Sequence, residues 1–171
     1  MRVAISTAGV MLALFATPAS PSELVELKEL TVRFALLQPS TLRLEIAREV
    51  VEAPVIAAVS RAGIAVVPWR DQPIPRGPSR DAVPLLRINV LLQKAPQTEV
   101  AAYVEMALEQ DVSLLRRRDS WLIAPTWHTG TVVVAKPEAL QATVLDLVEQ
   151  FSTDFLREYR AQNPRPPGLP Q

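Results

Sequence analysis

The sequence contains no cysteine and a single histidine. Without thiols, no disulfide can staple the fold in any compartment, and no thiolate can serve as nucleophile or soft metal ligand. The one histidine, His128 in TWHTG, is too little for a metal site built on imidazole and thiolate. No metal or other cofactor is therefore expected. Glycine is scarce as well, with five in the chain, and none is grouped into a phosphate-cradling loop. No Gly-x-Ser-x-Gly elbow accompanies His128, so a Ser–His–acid triad would lack its nucleophile. An excess of charge is also missing, since 18 basic residues balance 18 acidic ones. That balance, with no basic block, argues against a nucleic-acid partner. The longest apolar run, VAISTAGVMLALFA, is about 14 residues, shorter than a membrane-spanning helix requires.

That run follows Met1-Arg2 and precedes Thr17-Pro18-Ala19. One positive charge, a short apolar core and small residues before a cut form the layout of a secretory signal peptide. Cleavage after Ala19 is expected, making residues 1–19 the signal peptide and the mature protein periplasmic or secreted. Retention as an uncleaved anchor is the alternative. No cysteine follows the run, which closes the route to a lipid-anchored form. After cleavage no further membrane span is expected, and the remainder is long enough for one domain with one core.

The chain is organised around residues 99–134. Val100, Ala102, Val104, Met106, Leu108, Val112 and Leu114 fall on one side of a period-two pattern, broken at Gln110. Tyr103, Glu105, Glu109, Asp111 and Ser113 fall on the other. Such alternation predicts a strand with one buried and one wet face. A helical stripe through Val100, Val104, Ala107 and Leu108 competes with it. The strand is preferred because the alternation continues into β-favouring residues. After Arg117-Arg118-Asp119-Ser120 comes a second β-rich run, giving a long hairpin.

Other elements can be placed around this hairpin. LTVRFALL (30–37) reads as a first strand, ended by Gln38-Pro39-Ser40. A helix over roughly 46–62 follows, with Pro54 either kinking it or sitting in its first turn and Gly63 stopping it. Ile64–Val67 is a short strand. Residues 68–84 hold five prolines and read as a surface loop. LLRINVLL is another strand. Pro137 opens a closing helix in which Leu140, Val144, Leu147, Val148, Phe151 and Phe155 recur at three- and four-residue steps. Val144, Leu147, Val148 and Phe151 are expected to face the sheet. The proline-rich tail 163–171 is expected to be disordered. The whole implies one α+β domain over 20–162, an antiparallel sheet of about five strands with two helices packed on one face.

The order of an exported leader, RAGIAVV, PLLRINVLL, a long strand, APTWHTGTVVV and DLVEQFSTDFLREYRAQNP resembles a family of uncharacterised exported bacterial envelope proteins. In that family a tryptophan-bearing strand precedes a final helix ending in an Asn–Pro pair, as at Asn163-Pro164 here. The resemblance implies the strand reading of residues 99–115; it implies no activity and transfers no site residue. Pro54 and the length of the proline loop depart from the family pattern.

Candidate catalytic, cofactor-binding and metal-binding residues are therefore absent from the reading. Glu105 with Glu109, and Glu45 with Glu49, are better explained by solvation than as acid–base pairs. The candidate partner-binding residues are Trp69, at the mouth of the proline loop, and Arg116, Arg117 and Arg118, at the hairpin tip. An exposed Trp suits recognition, and an Arg cluster suits an anionic or acidic partner. A charged tip that discourages strand-edge aggregation is the competing explanation for the arginines. The expected function is non-enzymatic: an exported binding or assembly accessory whose partner is a protein or other envelope component. A hydrolase with an unrecognised site and a structural subunit docking through its proline-rich loop or tail are the alternatives.

Overall fold

Each alternating stretch forms a strand in the computed structural model, which describes residues 24–69, 83–114 and 116–164. Side chains at positions 97, 113, 114, 117–119 and 121 are outside that description, as are the expected signal peptide, most of the proline loop and most of the tail. The strands are β1 (Glu29–Leu37), β2 (Ala65–Val66), β3 (Leu85–Lys94), β4 (Val100–Leu114) and β5 (Arg117–Ala135). The helices are α1 (Arg48–Arg61), between β1 and β2, and α2 (Pro137–Gln162), after β5. They form one sheet in the order β2-β1-β3-β4-β5.

The expected α+β sheet of five strands is present and mostly antiparallel, with a parallel part at β1. β1 runs parallel to both β2 and β3, whereas β3–β4 and β4–β5 are antiparallel. The reason is connection length. A helix between β1 and β2 carries the chain back to its starting end, so the second strand points the same way as the first. The short link through Pro96–Thr98 and the hairpin tip can only reverse direction.

Both helices lie on one face. Val32, Phe34, Leu86, Ile88, Val90, Leu92, Val104, Met106 and Leu108 point into the same buried cluster as Val51, Val55 and Val59 of α1. From α2, Leu140, Val144, Val148, Phe151 and Phe155 enter it. Leu147, expected on the sheet-facing stripe, is only half-buried. It packs at the margin of the cluster, and Leu156 joins the expected Phe155 in the buried stripe toward the end of α2.

Three local features fix the frame. Helix α1 begins at Arg48 and runs through Pro54, which sits on its exposed side. Where two-residue β2 stops, the Glu52 carboxylate accepts the Phe34 backbone N–H at 2.7 Å, covering an edge donor of β1 that the short strand cannot reach. At the other end, Asn163 closes the domain. Its Nδ2 donates to Leu24 O at 2.7 Å and Tyr159 O at 2.9 Å, and its Oδ1 accepts from Glu26 N at 3.0 Å. Asn163 thus belongs to the packed domain, and Leu24, in the polar lead-in, is fully buried.

Candidate functional site

Two helices can cover only one side of the sheet, and among the described residues no element packs on the other. The residues that alternate outward there form rows fixed by register. In one row Leu37 of β1 lies beside Leu91 of β3, Leu91 beside Tyr103 of β4, and Tyr103 beside Val132 of β5. Their relative exposures are 55, 40, 38 and 54%. Val134, beside Ala101 in the next row, is exposed as well. Large apolar side chains thus cross four strands without interruption on an uncovered face. Single exposed apolar residues are ordinary on protein surfaces, whereas a contiguous set marks a contact surface.

Behind this row the face turns polar. Ala35, Asn89, Glu105 and Gly130 stand abreast, followed by Arg33, Arg87, Ala107 and His128. Asn89 Nδ2 donates to Glu105 Oε2 at 3.3 Å, and Arg87 reaches diagonally to Glu109 at 3.0 Å. Arg87 Nε is buried without a hydrogen-bond acceptor. Glu105 and Glu109 are therefore spent on cross-strand pairing rather than placed as an acid–base pair. His128 is exposed beside Ala107, whose small side chain is overshadowed to full burial even on this face.

Tyr103 joins the two zones. Its hydroxyl lies 2.8 Å from where a Cβ on Gly130 would stand, so the ring rests on the bare backbone of β5. Only glycine lets the ring approach so closely. Partial burial pushes the Tyr103 hydroxyl above its ordinary 10.0, and the neighbouring Glu105 carboxylate adds to the shift.

The candidate residues named from sequence do not converge. Trp69 is partly exposed, and the Arg33 guanidinium lies 4.7 Å from its ring centre. Because Arg33 belongs to the open face by register, Trp69 stands at that face's β1 margin. Arg116 is exposed at the tip of the β4–β5 hairpin, and Arg117 and Arg118 open β5. The hairpin runs past the end of β3, which stops opposite Glu109. The extra residues, Gln110–Leu114, carry the arginines about 17 Å beyond the sheet at strand spacing. Val112, expected to be buried, is only half-buried for the same reason.

Sequence reasoning missed Leu37, Leu91, Val132 and Val134 as surface residues. Alternation sets Leu37 opposite Val32 and Phe34, and Leu91 opposite Leu86, Ile88, Val90 and Leu92, but only strand register lines them up with Tyr103 and Val132 in one row. Trp127 resolves differently: it is buried, its Nε1 donates to Glu158 Oε2 at 2.9 Å, and it meets Phe155 edge-on with centroids 5.1 Å apart.

A groove of 440 Å³ also runs between α1 and α2, lined in part by Val50, Pro54, Ala58, Glu149 and Arg160. Ser152, which also lines it, is buried, and its Oγ donates back to Val148 O at 2.7 Å. No His, Cys, Asp and Glu cluster with metal-ligand grouping occurs among the described residues. No described helix is long and apolar enough to cross a membrane.

Comparison of the sequence with protein-family models and with curated proteins gives no match. Among solved structures, the chain is similar to the crystal structure of a minor lipoprotein from Acinetobacter baumannii at 11% identity. That alignment covers 77% of this chain and 94% of the other, with a TM-score of 0.28. A likeness of that size assigns neither family nor role.

Proposed function

We propose that the chain is a non-enzymatic exported accessory that docks a protein partner of the envelope on the uncovered face of its sheet. One observation carries this reading: the apolar row Leu37–Leu91–Tyr103–Val132 crosses four strands, and among the described residues nothing packs on it. A fold that buries one sheet face under two helices and leaves apolar side chains on the other has a surface suited to a second molecule. The polar rows behind it, with Arg33, Arg87 and Glu109, supply a rim that fixes orientation. Trp69 is an aromatic anchor at the same margin. The resemblance to exported envelope proteins and the Met1–Ala19 layout support placement outside the cytoplasm.

Photo-activated cross-linking in the producing cell tests the docking face. A cross-linker at Leu91 or Tyr103 should trap a discrete protein partner, whereas one at Glu149, on the exposed side of α2, should not. Equal trapping at both sites, or none from the open face, would overturn the assignment. Amino-terminal sequencing of the native protein tests export: a start at Ser20 is expected, and an intact Met1 in a cytosolic fraction would sink it.

A further inference from the structure

The two edges of the sheet are finished differently. On one side, β2 covers the start of β1, Thr31 Oγ1 bonds Val67 O at 3.0 Å, and Glu52 takes the next exposed donor. On the other side β5 is the last strand, and among the described residues no strand pairs with its outer edge. Unpaired edges invite further strands, and proteins blunt them with lysines, prolines, bulges or inward charges. β5 uses such devices only in its first half. Pro125 and the register shift between Leu108 and Glu109 fall there. Beyond Thr126 the strand TWHTGTVVVA continues to Ala135 with no proline or bulge, and the whole stretch Ser120–Ala135 contains no Asp, Glu, Lys or Arg.

We propose that the outer edge of β5 over Trp127–Ala135 pairs antiparallel with the same strand of a second copy of this chain, joining the two sheets edge to edge. The neutrality of the strand points to a second copy. About a two-fold axis each residue meets its own counterpart, so any charge on the edge would oppose a like charge. This stretch has none to oppose. It also has no fixed charge with which to select a foreign strand. On the helix face, Thr129, Thr131 and Val133 are only half-buried at the margin of α2's cover, and a second copy completes their burial. On the open face, Val132 and Val134 end the apolar row at this edge, so pairing sets two such rows side by side. The interface rests on the strand edge; it shares Val132 and Val134 with the margin of the docking face proposed above but does not depend on what occupies that face.

The absence of cysteine permits a direct test. The purified chain should have the mass of a dimer by light scattering. Single-cysteine variants at Thr129, Thr131 and Val133 should form intermolecular disulfides, with yield peaking at the position nearest the two-fold axis. Val132→Lys/Val134→Lys should give folded monomers whose melting temperature, unlike the parent's, does not depend on protein concentration. Leu91→Lys, in the same apolar row but two strands from the edge, should leave the dimer intact while removing trapping of the open-face partner. If the Lys pair fails to fold, the cysteine series decides alone. A monomer at the highest soluble concentration would overturn the proposal. So would a dimer in which none of the three cysteines cross-links, because that dimer would be built on another surface.

Discussion

Asn163 and Tyr103 show how much a single side chain holds in this fold. Asn163 both donates and accepts, joining the end of α2 to Leu24 and Glu26. An aspartate keeps the acceptor and loses both donated bonds, so Asn163→Asp as well as Asn163→Ala should destabilise the domain. The expected loss is about 1–3 kcal/mol, read as a shift in denaturant midpoint. Tyr103 ties stability to pH at the alkaline end. Below 10.0 its hydroxyl keeps its proton in both states, and its full contribution is present. As pH rises past that value the unfolded chain releases the proton first, so the folded state loses stability until the raised folded value is passed. Melting temperatures measured from about pH 9 to 11 should fall more steeply for the parent than for Tyr103→Phe. Neither role is legible from composition. Asn163 sits in a proline-rich tail, and Tyr103 is one of several polar-side residues until register sets Gly130 beneath its ring.

At the scale of elements, α2 is the piece whose sequence signal and structure agree best. Its apolar residues recur at helical spacing, and Val144, Val148, Phe151 and Phe155 are all buried. Phe151→Ala should cost about 3–5 kcal/mol, a large share of the roughly 5–15 kcal/mol that holds a domain of this size. Glu149→Ala, on the exposed side, should cost about half a kcal/mol or less. Trp127→Phe should keep the contact with Phe155 but strand Glu158, for about 1 kcal/mol. Urea melts of the three variants rank these effects, and a Phe151→Ala chain that melts like the parent would mean that α2 does not depend on that seam. Helix α1 was harder to read, because Val50 is exposed while Val51 beside it is buried, and Pro54 interrupts the pattern without ending the helix. Alternation located β1, β3 and β4 to within a residue or two, yet it is the same for parallel and antiparallel neighbours. Pairing direction came instead from what each connection could span.

For the whole molecule, cover among the described residues is asymmetric. Two helices shield one face, while the opposite face keeps an apolar row and a paired polar rim. Arg116 to Arg118 form a charged cluster in the sequence; the hairpin sets their backbone beyond the part of β4 that β3 pairs with, while Trp69 stands at the margin of the open face. The candidate surface was therefore only partly legible. Its apolar members alternate with core residues in the sequence, and only the three-dimensional register lines them up as one row. Replacing Arg116 to Arg118 with serine should accordingly leave cross-linking from Leu91 unchanged, a result that separates the hairpin tip from the docking face.

The contact between Leu24 and Gln162-Asn163 has a topological consequence. Leu24 N bonds Gln162 Oε1 at 2.9 Å, and Asn163 grips Leu24 and Glu26, so the start and finish of the packed chain meet at one pole. The domain is nearly a closed ring. A short linker joining those two points, with new termini cut at the exposed Arg116, should give a circular permutant that folds to the same structure. A reporter joined directly to Leu24 or to Asn163 would sit at the same pole.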